Sequence, residues 1–198
     1  MRRVAVLAVL GALGVLSVGA VAIAGDGDGS GKNGARLNGY QEPPSISTTG
    51  FGSFDLKINP GGNSVDYTLS YSGMESDVTM AHIHFAQRSI NGGIFVWLCR
   101  NPTAPSAPTP PASPGPACPL REGTVTGTFE ADDITDAGRG LGAGQLEEAL
   151  AAIKVGHTYA NVHTVNFGGG EIRGQINDRD QKEYTGPPPF ALGNNGDD

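Results

Sequence analysis

Three of the chain's four histidines lie in two short segments, Ala81-His82-Ile83-His84 and Tyr159-Ala160-Asn161-Val162-His163-Thr164. Residues two apart on a β-strand project to the same side, so His82 and His84 share a face while Ile83 takes the other. That spacing sets two imidazoles near one point. If the second segment runs beside the first, His163 adds a third nitrogen donor, and three histidines suit Zn²⁺ or copper, with a coordination position left open. The same residues also permit a plainer reading. A buried neutral histidine can be held by a hydrogen bond to a carbonyl or a carboxylate. Glu171 is the evident carboxylate partner, with Arg173 paired to Glu171, and Asn161 and Thr164 complete a polar network that fixes strand register. Glu171 meets His163 only in one register of the Asn166–Gly170 turn, whose loop length is ambiguous by one residue. A catalytic role is a third reading, with copper-dependent superoxide dismutation as its form, because an H-x-H strand also occurs in such sandwiches; that is analogy of fold alone. His157 sits where a loop should end.

The elements that must position these residues are strands. Phe54, Leu56 and Ile58 alternate with Ser53, Asp55 and Lys57, and Val65, Tyr67, Leu69 and Tyr71 alternate with Asp66, Thr68 and Ser70. Such alternation marks strands with one buried and one wet face. Turn residues fall between the runs at Asn59-Pro-Gly-Gly-Asn63, Asn91-Gly92-Gly93 and Asn166–Gly170. Gly93–Leu98 is apolar on both faces and reads as a central strand, with Trp97 a core residue, and Gly123–Glu130 reads as a further strand. Leu146, Leu150 and Ile153 recur at helical spacing within Gln145–Lys154, and Gly156 is a stop signal. Seven or eight short strands with one short helix predict an all-β domain, an antiparallel β-sandwich of Greek-key kind.

At the N-terminus, Met1-Arg2-Arg3 precedes an apolar run that ends Ala22-Ile23-Ala24, the pattern of a secretory signal peptide over residues 1–24. Cleavage there would leave no membrane span, and it carries the net charge from −7 to −9 by removing Arg2 and Arg3. An acidic balance of that size excludes nucleic acid as a partner, which needs a basic patch. Export permits a disulfide. The two cysteines, Cys99 and Cys118, bracket a Pro-rich run that can form neither helix nor central strand, so a Cys99–Cys118 bridge is expected to staple that loop, at about 3 kcal/mol on the loop-entropy estimate. Residues 25–34 read as a flexible leader and 178–198 as a disordered tail.

Taken in order, Leu37-Asn-Gly-Tyr-Gln41-Glu42-Pro43-Pro44, Thr49-Gly50-Phe51-Gly52, Ala81-His-Ile-His84, Tyr159–Thr164 and Gly170-Glu-Ile-Arg-Gly-Gln-Ile176 resemble the CHRD (chordin-type) domain across residues 35–177. The resemblance implies a secreted, all-β module without an established catalytic activity, whose partner is an extracellular protein or surface ligand still to be identified. Secretion outside the cell, into a periplasm or onto a cell surface, all fit. Two features depart from the pattern. Phe85 stands where the family often has Gly, which would alter the mouth of a pocket beside the histidines, and the Cys-bracketed insert lies outside the core motifs. Gln41–Pro44 is expected to be a corner between strands rather than a rim to the histidines. No nucleophile elbow, P-loop or dinucleotide fingerprint is present, so a non-enzymatic role is expected, with copper or zinc the only cofactors the residues suggest.

Overall fold

The computed structural model describes residues 33–101 and 115–177. The expected signal peptide, nearly all of the leader, most of the Pro-rich insert and the tail lie outside the described residues. Within them the chain forms eight strands: β1 (Asn33–Asn38), β2 (Phe51–Ile58), β3 (Ser64–Ser72), β4 (Val78–Phe85), β5 (Gly93–Arg100), β6 (Gly123–Glu130), β7 (Thr158–Thr164) and β8 (Ile172–Gln175). One helix, α1 (Leu146–Lys154), precedes β7. Asn33 and Gly34, assigned to the leader from composition, already pair with Leu56 and Asp55 as the start of β1.

All strand pairs are antiparallel, in the order β5-β4-β7-β8-β1-β2-β3-β6. The result is the all-β, antiparallel domain that the alternation predicts, here a single sheet curled into a nearly closed barrel or sandwich. The sheet's two ends, β5 and β6, approach each other. Gly93–Arg100 is therefore an edge strand by hydrogen bonding. It reads as central because it is covered on both sides: the Tyr67 hydroxyl bonds the Leu98 carbonyl, Thr135 N–H bonds the Phe95 carbonyl, and the Cys99–Cys118 disulfide ties it to the following segment.

Leu37, Phe54, Val65, Leu69, Ile83, Phe95, Val162 and Ile172 meet in one core inside the sheet, and α1 adds Leu146, Leu150 and Ile153 to it. Helix α1 ends at Gly156, whose φ of 73° only glycine adopts without strain.

The two halves of the sheet differ on their outer face. β2, β3 and β6 alternate buried with exposed residues, as half-wet strands should. β4, β7 and β8 are buried at nearly every position. Their inward residues are mostly apolar, with Thr158 and Thr164 among them, whereas the outward side carries Met80 beside a polar and aromatic set: His82, His84, Tyr159, Asn161, His163, Arg173 and Gln175. A polar layer of this kind is buried only if other chain segments cover it and satisfy it.

Candidate functional site

β4 and β7 lie side by side with Met80 opposite His163, His82 opposite Asn161 and His84 opposite Tyr159. His163 thus stands diagonal to His82 on the shared outer face, within reach of both β4 histidines. The ring centroids of His82 and His84 are 5.4 Å apart, those of His82 and His163 4.9 Å, and those of His84 and His163 6.2 Å. One nitrogen of each ring lies within 4.8 Å of the others. His82 is 0% exposed, His84 7% and His163 6%.

The hydrogen bonds determine which nitrogens face inward. His84 Nδ1 is 3.0 Å from the Gly92 carbonyl, and His163 Nδ1 is 3.0 Å from the Gly168 carbonyl. A carbonyl can only accept, so both rings donate from Nδ1, and in the neutral imidazole Nε2 is left as a bare lone pair. Neither Nε2 has a hydrogen-bond partner among the described residues, and both nitrogens of His82 also lack one. Orphaned polar atoms at this burial are rare in folded proteins and call for an explanation.

Burial holds all three rings in the neutral form. Desolvation drives His82 far below the ordinary histidine value, and the neighbouring His163 and His84 push it the same way. His84 is lowered to about 3, chiefly by burial and against the opposing bond to Gly92. His163 is lowered by burial, again against its carbonyl bond. Neutral nitrogens with free lone pairs, converging within a few ångströms, form an arrangement that one transition-metal ion can span.

Aromatic rings close the flanks. Trp97 lies across from His82 on β5 and meets its ring edge-on at 4.3 Å. Trp97 is therefore not part of the barrel interior, as its apolar surroundings in the chain suggest, but packs against a histidine. Tyr159 stacks parallel to His84 at 4.6 Å, and the Arg173 guanidinium lies 3.4 Å over the other side of that ring system. Met80, buried beside them, also lies outside the hydrophobic core. Val78 does belong to the core, because a register irregularity between Val78 and Met80 separates it from the histidine face.

The acidic residues are arranged differently from the network expected from sequence. Glu171 does not bond His163. Its fully buried carboxylate accepts from Thr48 Oγ1 at 2.6 Å, Thr164 Oγ1 at 2.7 Å and Glu75 N–H at 3.0 Å. Nor does Arg173 pair with Glu171; it donates to the Ile90 and Gln87 carbonyls and to Asn91 Oδ1. The turn register is responsible, because Glu171 N–H bonds the Val162 carbonyl and Gly168, not a carboxylate, faces His163. Asn161 pairs with a residue missed from sequence: its Nδ2 donates to Glu42 Oε1 at 2.6 Å and to the Ile172 carbonyl. Glu42 is buried, and desolvation raises its carboxyl to about 7 despite the Asn161 bond and the nearby Arg173. The Gln41–Pro44 corner thus also lines the polar layer, and only its place beside Leu37-Asn-Gly-Tyr in the motif could have hinted at this.

Phe85 packs against the hydrophobic core rather than the histidines, so its departure from the family pattern does not reach the site. His157 is apart, bonded to the Val155 carbonyl after α1. It lines, with Arg139, a cavity of about 650 Å³ that contains none of the three clustered histidines.

A family model described as the CHRD domain matches residues 34–176. The chain belongs to the CHRD-domain family. Comparison with curated proteins and with solved structures returned no match. No helix among the described residues is long and apolar enough to cross a membrane.

Proposed function

We propose that this CHRD module is exported and acts without catalysis, holding a single copper or zinc ion on His82, His84 and His163. The observation that carries the reading is the set of inward-facing imidazole nitrogens with no partner, at positions 0–7% exposed. A purely structural network would be expected to satisfy its donors and acceptors, as the Glu171 and Asn161 groups do. Export is supported by the basic-then-apolar N-terminal pattern and by the Cys99–Cys118 disulfide, which suits an oxidising compartment. Burial of the donors disfavours turnover of a solute such as superoxide, which must reach the metal. In this reading the ion ties β4 to β7 and stiffens the buried half of the sheet.

Elemental analysis of protein purified without an affinity tag tests the proposal. About one equivalent of copper or zinc is expected, and a ligand at 100 times Kd should add about 2.7 kcal/mol of stability. Substituting His84→Ala should abolish both while leaving the far-UV circular dichroism unchanged. Metal-free protein that shows no thermal shift with copper or Zn²⁺ would overturn it.

A further inference from the structure

We infer that the three-imidazole site selects monovalent copper over the divalent ions Zn²⁺ and Cu²⁺. This rests on the metal-site reading and adds to it the charge of the ion.

The donor set contains no anion. The two rings with a hydrogen bond at Nδ1 are held by the backbone carbonyls of Gly92 and Gly168, where a carboxylate would have placed negative charge beside the metal. The buried carboxylates of this half of the molecule are engaged elsewhere, Glu171 by Thr48, Thr164 and Glu75, and Glu42 by Asn161. Glu42 is also held toward its neutral form by burial, which weakens its offset of Arg173.

The charges that flank the ligands are positive. Arg100 lies 5.8 Å over the Trp97 ring, which abuts His82, and Arg173 lies 3.4 Å over Tyr159, which stacks on His84. Each guanidinium is one aromatic ring away from a ligand. Repulsion from a fixed cation doubles between a monovalent and a divalent ion, and the desolvation cost grows with the square of the charge. A dry, uncompensated pocket therefore discriminates steeply against Zn²⁺ and Cu²⁺.

Coordination points the same way. Zn²⁺ on three histidines completes its shell with water, which rings only 0–7% exposed do not readily admit, and divalent copper prefers a tetragonal set. Here three nitrogens converge, and the remaining residue opposite His163 on the same face is Met80, whose thioether is a soft donor suited to Cu⁺.

Anaerobic competition of the full chain against bicinchoninate, with copper kept as Cu⁺ by ascorbate, gives the first affinity; separate titrations with Zn²⁺ and with Cu²⁺ give the others. Cu⁺ is expected to bind one to one and at least about 100-fold more tightly than Zn²⁺. Zn²⁺ or Cu²⁺ bound as tightly as Cu⁺, and lost in His84→Ala, would overturn the selectivity and leave the metal-site reading intact. A wild-type chain that binds none of the three would overturn both. Arg100→Gln, which keeps the three ligands, should lower the Cu⁺ to Zn²⁺ affinity ratio by about threefold or more. An unchanged ratio would overturn the electrostatic basis of the selectivity.

Discussion

Each imidazole in the cluster combines two properties that are costly together, deep burial and a lone pair with no partner. Burial also lowers the affinity of each ring for a proton. An unfolded chain takes up protons on these histidines as pH falls below about 6.5, whereas the folded chain resists, His84 down to about 3. For a base whose folded value is depressed, the stabilisation is complete above the unfolded value and is lost as pH falls. Metal-free protein should therefore lose stability steadily from about pH 6.5 toward pH 3 in urea denaturation. Glu42 has the opposite sign. Its folded value of about 7 lies above the ordinary 4.5, so its contribution is full below 4.5 and lost as pH rises through 7. Between those values three histidines oppose one carboxyl, and the histidines dominate. Glu42→Gln should remove the Glu42 effect and leave the protein more stable than wild type at pH 8 by about 3 kcal/mol. A Glu42→Gln variant less stable than wild type at that pH would mean that the carboxylate is needed in its charged form.

Turns and bulges, more than the strands themselves, aim the site. The Phe167–Gly170 turn gives His163 its Gly168 acceptor and sets the register that sends Glu171 to Thr48 and Thr164. At its end Gly170 has φ +122°, and a Cβ there would stand 2.6 Å from both Asn161 Nδ2 and Glu42 Oε1. Gly170→Ala should accordingly destabilise the fold by about 1–3 kcal/mol and weaken metal binding, because the Asn161–Glu42 bond and the turn cannot both be kept. On the far side of the cluster, β5 carries Trp97 and is anchored through Cys99. Replacing Cys99 and Cys118 together with Ser should cost about 3 kcal/mol by denaturant titration. A loss well below about 1 kcal/mol would show that the bridge does not stabilise the fold by constraining the unfolded chain.

At the scale of the whole molecule, the site and the core are two faces of the same strands. Ile83 enters the interior between His82 and His84, and Val162 does so between Asn161 and His163. The histidine layer cannot open independently of the barrel without exposing apolar residues. A core truncation far from the site, Leu69→Ala at a fully buried position, should cost about 2–5 kcal/mol. It should leave one cooperative transition, seen alike by near- and far-UV circular dichroism, and the wild-type metal stoichiometry. Two separated transitions would show that the polar half of the sheet is an independent unit.

Much of this was readable in the chain because period-two alternation is a local property. It placed β2 and β3 correctly, set His82 and His84 on one face, and identified α1 by Leu146, Leu150 and Ile153. The Cys99–Cys118 bridge was expected from the two cysteines that bracket the Pro-rich run. What alternation cannot convey is which distant strands adjoin, or in what register. That Met80 faces His163, that Glu171 turns to Thr48, that Glu42 reaches Asn161 and that Trp97 lies on the histidine face all depend on pairings between segments far apart in sequence. A shift of one residue reverses every side chain on a strand, so local residue types set the candidates for the cluster and only the closed sheet decided its members.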